Sequence, residues 1–266
     1  MVDRRNRRYH DRVARRYDQV YDTEYWRFYR ELSWRHMRGF LPEQRPATAA
    51  DLGCGTGWFG RRLLKAGMSV VFLDPSGAMI EQCRDAVEAQ GRRGLEVRYL
   101  QEELEDLSAI ETASLAFATA QGDPLSFCKD ANRAVRELAR VLEPGGALVL
   151  SVDNRIAGVR TLLDRPTPDA ALELLRTGRT KWLAKRTDES FPMKMFEPTE
   201  LHRMLEKAGF EVASTIAKTC LVQRFNERWL EDPERRRDLL KAEERVNASP
   251  HWLGGAGHFQ VAARKR

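Results

Sequence analysis

Three glycines at alternate positions, followed about twenty residues later by an aspartate, form the most informative pattern in this chain. Gly53, Gly55 and Gly57 lie in the segment Asp51–Gly57 (DLGCGTG), which follows an apolar run, and Asp74 ends the next apolar run. Glycines at this spacing let the backbone turn sharply and approach a ligand without interference from Cβ atoms. An aspartate at the end of the following strand can accept hydrogen bonds from both hydroxyls of a ribose. The pattern predicts a pocket for a nucleoside-containing cofactor.

Short apolar runs alternate with helical periodicity from residue 47 onward, and these elements must hold the pocket. The alternation predicts an α/β fold in which a mostly parallel sheet is covered by helices. Ligands of such sheets bind at the carboxyl ends of the strands, so the glycine segment and Asp74 should meet at one edge. We expect strands at 47–52, 68–73, 95–100, 114–120 and 147–152, and helices at 58–66, 76–90 and 125–142.

The segments that flank this region are predicted to be mostly helical. A helix is expected near 169–186, another starts at Pro198, and strands follow at 210–216 and 258–262. We expect a single domain over 1–266, divided into an N-terminal helical cap (1–40), a cofactor-binding core (45–152) and helical insertions (153–196 and 226–250).

A second glycine frame, Gly55–Gly60, fits the GxGxxG spacing of nicotinamide-binding proteins and keeps an oxidoreductase open. In that frame Asp51 and Cys54 would fall at the end of a buried strand. The frame that starts at Gly53 leaves Asp51 at the mouth of the strand, where it can anchor loop amides or meet a ligand's ammonium group. We therefore prefer the frame from Gly53.

These segments resemble the class I S-adenosylmethionine-dependent methyltransferases, specifically their small-molecule, methyltransferase type 11-like group. Asp51–Gly57 is similar to the family's glycine motif, and Phe72–Met79 (FLDPSGAM) is similar to its ribose-acid segment. The resemblance implies S-adenosylmethionine as cofactor. It also implies a Rossmann-like sheet of seven strands, mostly parallel with the last strand antiparallel, with helices on both faces.

Three further segments extend the resemblance. Glu102–Leu107 (EELEDL) is similar to the family's acidic stretch, where a carboxylate meets the adenine amino group; Glu103 aligns best, although the family usually carries Asp. Ala120–Pro124 (AQGDP) occupies the position of the loop beside the cofactor's methionine end and the acceptor, and Leu142–Val149 is similar to the turn into strand five. The cofactor-binding residues implied are Asp51, Gly53, Cys54, Gly55, Gly57, Asp74, Pro75, Ser76, Met79, Glu102, Glu103, Leu104, Ala120 and Gln121.

Methyl transfer from a sulfonium needs an aligned acceptor and a site closed to water, and it needs a general base only if the acceptor must lose a proton. The sequence offers no unique base. Two short segments follow strands at the expected edge of the sheet and could contact the acceptor: Gln121 and Asp123 in one, and Asp153–Arg155 in the other. The alternative is that these side chains only cap loops or helices. The histidines in segments that could cap the pocket are His10, His36, His251 and His258, whereas His202 falls on an ordinary helix.

An apolar stripe of Val13, Tyr17, Val20 and Tyr21 predicts a helical lid over residues 9–32. Tyr17, Tyr21 and Asp123 are the predicted catalytic residues, because a lid would bring a tyrosine near the transferred methyl group. The aromatic residues of this segment favour an aromatic or isoprenoid-like acceptor, with permanent core packing as the alternative. They are Tyr17, Tyr21, Trp26, Tyr29 and Trp34.

The composition of the chain limits its location, its metal sites and its possible acceptors. The 266 residues carry a net charge of +6 and contain no apolar run near the roughly 18 residues of a membrane span, so we expect a cytoplasmic protein without a membrane partner. The four cysteines form no CxxC pair, and no metal site is predicted. Eleven arginines face six acidic residues in 1–38. This excess keeps an RNA or protein methyltransferase as the alternative, but a solvated face is preferred and a small-molecule acceptor is the expected partner.

Overall fold

The computed structural model describes residues 3–44, 46–92, 94–182 and 190–266. Its strands are β1 (Thr48–Leu52), β2 (Ser69–Leu73), β3 (Val97–Leu100), β4 (Leu115–Ala120), β5 (Leu142–Asp153), β6 (Arg179–Trp182), β7 (Phe191–Lys194), β8 (Phe210–Lys218) and β9 (His258–Lys265). Its helices are α1 (Arg4–Val20), α2 (Glu24–Arg38), α3 (Trp58–Lys65), α4 (Gly77–Gln90), α5 (Ala131–Val141), α6 (Arg155–Leu163), α7 (Asp169–Thr177), α8 (Pro198–Lys207), α9 (Pro233–Val246) and α10 (Pro250–Leu253). Among these described helices, none has the length and apolar character that a bilayer span requires.

Seven strands form the central sheet in the order β3-β2-β1-β4-β5-β9-β8. The pairs from β3 to β5 are parallel, whereas β9 pairs antiparallel with both β5 and β8. The predicted α/β class, with a mostly parallel sheet and an antiparallel last strand, is confirmed. Strand order reverses between β1 and β4, and such a switch point opens a crevice at the carboxyl ends of the strands.

Alternate residues of each central strand face opposite sides of the sheet, as the period of two requires. In β2, Val71 and Leu73 pack in one core cluster, whereas Val70 and Phe72 pack in the other. Both faces are apolar because helices cover them. This double burial explains why the strands are continuous apolar runs that could be located from the sequence.

The predicted helix over 125–142 is confirmed only over residues 131–141. A 3₁₀ turn at Pro124–Phe127 comes first, and α5 begins only after Asp130, whose side chain accepts a hydrogen bond of 3.0 Å from the amide of Arg133. At the other end Leu142 already pairs with Leu115 in the sheet. The N-cap residue Asp130 therefore separates the 3₁₀ turn from α5, although the apolar pattern runs through both.

The predicted helix over 169–186 is also wrong beyond its first half. Gly178 has φ +68°, a left-handed conformation that ends α7 at Thr177. β6 then pairs antiparallel with β7, so the insertion 153–196 contains a hairpin rather than helix throughout. The last four residues of the predicted helix, 183–186, lie outside the described residues.

The N-terminal segment forms two helices instead of one over 9–32. α1 ends at Val20 and α2 starts at Glu24, with a break at residues 21–23. Val20 is 60% exposed, so its place in the predicted apolar stripe is wrong.

Candidate functional site

The glycine loop after β1 is held against the end of β2. The amides of Gly53 and Cys54 both donate to the carbonyl oxygen of Leu73, at 2.7 and 2.9 Å. A Cβ atom on Gly53 would lie 2.7 Å from Cβ of Pro124, and one on Gly57 would lie 2.5 Å from Sγ of Cys83. Only glycine fits at these two positions, so the loop packs directly against Pro124 and Cys83.

Asp51 anchors the start of α3. Its carboxylate is buried and accepts a hydrogen bond of 2.7 Å from the amide of Gly60, while burial raises the pKa of Asp51 to about 7. Of the two roles expected for Asp51, the structure has the first, the anchoring of a backbone amide. A carboxylate that binds the first turn of a helix also interacts favourably with the helix dipole.

Asp74 joins the glycine loop to the start of α4. Oδ2 accepts a hydrogen bond from the amide of Gly55 and Oδ1 accepts one from the amide of Ser76, both at 2.9 Å. Burial raises the pKa of Asp74, and the two amide donors partly offset that rise. Each oxygen retains acceptor capacity, because a carboxylate has about four lone-pair sites.

Two adjoining cavities lie at this edge of the sheet. The inner cavity has a volume of about 80 Å³ and lies between the glycine loop, Asp74 and α1. The residues that line it are Asn6, His10, Tyr17, Gly53, Gly55, Leu73, Asp74, Pro75, Met79, Leu104, Gln121, Gly122, Pro124, Phe127 and Cys128.

The chamber, the second cavity, is larger, with a volume of about 430 Å³, and ten of its 23 lining residues are Phe, Trp or Tyr. His10, Tyr17, Gly53, Gly55, Gln121, Gly122 and Phe127 line both cavities. The other residues of the chamber wall are Tyr9, Asp18, Tyr21, Trp26, Tyr29, Arg30, Cys54, Thr56, Trp58, Phe59, Asp123, Asp153, Trp182, Phe191, Arg224 and His258.

α1 forms the roof of both cavities and is hydrogen-bonded to the loops below it. Oγ of Ser76 donates to Asp11 and Oγ1 of Thr56 donates to Asp18, both at 2.6 Å. Tyr17 lies between these contacts, with its ring 4.6 Å from that of Tyr21. The helix therefore rests on these two polar contacts, on the buried Ala14 and on Tyr9, whose ring lies 4.7 Å from that of Trp182.

A charged cluster closes the floor of the chamber. Nε2 of His258 lies 3.5 Å from Oδ2 of Asp123 and 3.5 Å from Oδ1 of Asp153. Burial by itself would lower the pKa of His258, but the two carboxylates outweigh it and raise that pKa. Behind the cluster, Nζ of Lys218 donates to Oε1 of Gln121 at 3.2 Å, and burial lowers the pKa of Lys218 to about 8.

Two arginines add positive charge to the chamber wall. Nη2 of Arg30 donates to the carbonyl of Tyr21, while Nε is buried without a hydrogen-bond partner among the described residues. The guanidinium of Arg30 lies 5.2 Å from the ring centre of Trp58, and that of Arg224 lies 4.6 Å from Trp26. Guanidinium groups in such positions can bind a carboxylate or phosphate.

Most of the site residues expected from the sequence line one of the two cavities. Those that do are Tyr17, Tyr21, Gly53, Cys54, Gly55, Asp74, Pro75, Met79, Leu104, Gln121 and Asp123. Those that line neither cavity are Asp51, Gly57, Ser76, Glu102, Glu103 and Ala120. Glu102 is exposed on the surface, and the adenine contact proposed for Glu103 stays a prediction.

The four candidate histidines fall in different places. His10 and His258 line the chamber, whereas His251 is exposed. His36 packs between α2 and the sheet, with its ring nitrogens 3.0 Å from Oγ of Ser214 and 2.8 Å from Nε2 of Gln260. Trp34 likewise packs against the core and does not line either cavity, unlike the other four aromatic residues proposed with it.

Several lining residues could not be singled out from the sequence. Trp182 and Phe191 come from the unpredicted hairpin, where their rings stack at 5.0 Å. Arg30 and Arg224 are two among many arginines, and nothing in their sequence context separates them from the others. Trp58 carried a usable signal, because it directly follows the glycine motif.

Comparison with known proteins identifies the core. Residues 49–146 match the family model described as a methyltransferase domain. This segment is a methyltransferase domain. The match confirms the resemblance to class I S-adenosylmethionine-dependent methyltransferases, and S-adenosylmethionine is the cofactor that it implies. A solved S-adenosylmethionine-dependent methyltransferase from Mesorhizobium loti has the same fold, with a TM-score of 0.61 and 23% identity over 88% of this chain and 98% of that one.

Two curated relatives align with very different shares of this chain. The malonyl-[acyl-carrier protein] O-methyltransferase of Pseudescherichia vulneris is 33% identical over 42% of this chain and 41% of its own length. The tRNA 5-carboxymethoxyuridine methyltransferase of Escherichia coli O157:H7 is 24% identical over 96% of this chain and 95% of its own length. The methyltransferase domain thus spans less than half of the first relative, whereas the second matches from end to end.

The residues of the two adjoining cavities fit the implied cofactor. Gly53 lines both cavities, and Asp74, in the inner cavity, offers unused acceptor sites. Arg30, in the chamber, has a donor atom without a partner among the described residues. Asp74 can accept hydrogen bonds from a ribose, and Arg30 can bind a carboxylate. S-adenosylmethionine contains both groups. The domain match also favours this cofactor over the nicotinamide alternative.

Proposed function

We propose that this protein transfers a methyl group from S-adenosylmethionine to a small aromatic acceptor held in the chamber. The observation that carries the proposal is that the chamber adjoins the inner cavity, with Tyr17, Gly55 and Gln121 in the walls of both. A molecule in the chamber would therefore lie next to a cofactor bound at the glycine loop. The volume of about 430 Å³ falls within the range of small-molecule sites.

On the cofactor side, Asp74 would accept the ribose hydroxyls, and Met79 and Leu104 would flank the adenine. Arg30 would bind the carboxylate of the methionyl part, because its Nε lacks a partner among the described residues and lies near the loop that ends at Trp58. The bound cofactor supplies an electrophilic methyl group on a sulfonium. The protein's part is alignment of the acceptor and exclusion of water.

On the acceptor side, the aromatic wall favours a flat, apolar ring. Tyr21 and Trp26 meet edge to face at 5.0 Å, and Trp182 stacks on Phe191; all four rings line the chamber. Aromatic side chains bury large areas and prefer ring partners in such arrangements. We propose that Tyr17 and Tyr21 orient the acceptor and that α1 acts as a lid that opens for ligand exchange.

Two measurements test this function. Mass spectrometry of ligands that co-purify with the protein should detect S-adenosylmethionine or S-adenosylhomocysteine, and calorimetry should detect binding of both. A panel of hydroxylated aromatic compounds should then yield a product heavier by one methylene. If neither sulfur compound binds, the proposed function is wrong. If both bind but no compound of the panel is methylated, the acceptor class is wrong.

RNA is the second candidate acceptor, and one observation favours it. The relative that matches this chain from end to end is a tRNA methyltransferase. In addition, the N-terminal helix exposes the arginines at positions 4, 5, 7, 8, 12, 15 and 16. Binding of unmodified tRNA that weakens steeply between 50 and 200 mM salt, as phosphate contacts require, would favour this candidate over a small molecule.

A further inference from the structure

The Asp123–Asp153–His258 cluster is assembled by three different strand ends. Asp123 follows β4, Asp153 is the last residue of β5, and His258 is the first residue of β9. In the antiparallel β5–β9 ladder Asp153 pairs directly with His258, so the sheet itself fixes their separation. All three side chains line the chamber. The cluster is therefore held rigidly at the floor of the proposed acceptor site.

The geometry leaves this cluster incompletely bonded. The two distances of 3.5 Å from Nε2 of His258 exceed the 2.7–3.2 Å of a good N–H···O hydrogen bond. Oδ1 of Asp123, Oδ2 of Asp153 and Nδ1 of His258 are buried and have no hydrogen-bond partner in the described part of the chain. Buried polar atoms without a partner are uncommon in folded proteins, and each calls for a specific reason, such as a bound ligand.

Other groups near the chamber are poorly suited to take up a proton. Burial raises the pKa of Tyr17 and of Tyr21, so both phenols stay protonated at neutral pH. Nδ1 of His10 lies 2.9 Å from the carbonyl of Asn6, on the same helix. Lys218 lies behind the cluster, hydrogen-bonded to Gln121, and does not line the chamber.

We propose that His258 is the general base of the reaction, that it accepts the hydroxyl proton of a phenolic acceptor, and that Asp123 and Asp153 hold the imidazolium that forms. This inference rests on the proposed function. As the acceptor oxygen forms its bond to the methyl carbon, the sulfonium sulfur keeps the electron pair of the broken bond and becomes a neutral thioether. Nε2 of His258 faces the two carboxylates and carries the ring proton of the neutral imidazole, so the phenolic proton passes to Nδ1, and charge and atoms balance without another reactant.

The charges around His258 favour this role. Asp123 and Asp153 face it from the ends of β4 and β5, and together they raise its pKa. Lys218, at the end of β8, opposes them, and the ring of Tyr29 on α2 meets the imidazole edge to face at 5.6 Å. A histidine made more basic by neighbouring carboxylates is a better match for a phenol than an ordinary histidine.

The test uses 4-nitrophenol, because its phenolate absorbs visible light and its phenol form does not. The probe is added to the full-length protein saturated with S-adenosylhomocysteine, and its ionisation is followed as a function of pH. We expect the apparent pKa of the bound probe to fall by about one unit, which is tenfold in the ratio of phenolate to phenol. His258→Gln should abolish the shift, and Asp153→Asn should reduce it. His251→Gln, on an exposed histidine, is the matched control and should leave it unchanged.

Each result has a separate meaning. A probe that binds the wild type without a shift, or whose shift survives in His258→Gln, would overturn the role of His258. Failure of the probe to bind, while S-adenosylhomocysteine binds, would overturn the phenolic acceptor. A shift that appears only with added Mg²⁺ or Mn²⁺ would identify the cluster as a metal site instead. Absence of S-adenosylhomocysteine binding would refute the proposed function itself.

Discussion

Replacement of Asp74 by asparagine is the sharpest test of the proposed cofactor site. Asparagine keeps the size and one acceptor oxygen, but it removes the charge and the second oxygen. In the structure both oxygens already hold backbone amides, those of Gly55 and Ser76. A ribose would donate two more hydrogen bonds to this carboxylate, and the substitution should weaken both of these. The other backbone hydrogen bonds of the glycine loop are unchanged.

The size of the effect follows from the number of hydrogen bonds. A hydrogen bond to a charged group contributes about 1.5–3 kcal/mol, and the asparagine oxygen together with water should recover part of the two that are lost. The net loss of about 2–4 kcal/mol corresponds to an increase of about 30- to 700-fold in the dissociation constant. Both S-adenosylmethionine and S-adenosylhomocysteine should be affected equally, since they share the ribose.

Isothermal titration calorimetry measures this change directly. Asp85→Asn is the matched control, because Asp85 is exposed on α4 and the substitution removes the same charge. Thermal unfolding should be recorded for both variants, since loss of one acceptor for a buried amide by itself costs about 1–3 kcal/mol of stability. If Asp74→Asn folds and binds S-adenosylhomocysteine within twofold of the wild type, Asp74 is not the ribose ligand. Tight binding of NADH by the wild type would revive the nicotinamide alternative.

Four further outcomes are expected. Hydrogen exchange in α1 (Arg4–Val20) should slow when S-adenosylhomocysteine binds; equal protection in both states, with loss of folding when the helix is deleted, would contradict a lid. Glu243→Gln should lower the free energy of unfolding in urea by about 2–4 kcal/mol, because this buried carboxylate accepts three backbone amides, whereas Glu244→Gln should change little. Burial lowers the pKa of His36 to about 4, so protonation of His36 favours the unfolded state. The free energy of unfolding should therefore fall by up to about 3 kcal/mol as the pH drops from 6.5 to 4. In His36→Gln this fall should be smaller. Methyl transfer should continue in the presence of a chelator, and activity that returns only with Mg²⁺ would point to a metal-dependent reaction.

The core of the fold could be predicted because its signals are local. The strand 69–73 is an apolar run with glycine or a turn at each end, and Asp74 follows it directly. Parallel strands covered on both faces leave little ambiguity in such a pattern. The same locality explains why the glycine loop and Asp74 could be paired from the sequence alone.

The chamber could not be predicted in the same way, because distant segments build it. The pairing of Trp182 with Phe191 depends on a hairpin that begins at Gly178, and the pattern before that glycine indicated a helix. His258 was one of four candidate histidines, and only its register against Asp153 separates it from the others. Spacing along the chain carries no information about such contacts.

The position of β9 has a consequence for how the molecule assembles. β9 lies between β5 and β8, although both precede it in the chain. Until β9 enters the gap, β8 has no neighbour in the sheet and β5 presents an open edge, which in a nascent chain is a template for wrong pairing. The pairing of Asp153 with His258 closes a loop of more than a hundred residues, a slow kind of contact to form. Folding intermediates should therefore contain a structured glycine loop long before they contain the charged floor of the chamber.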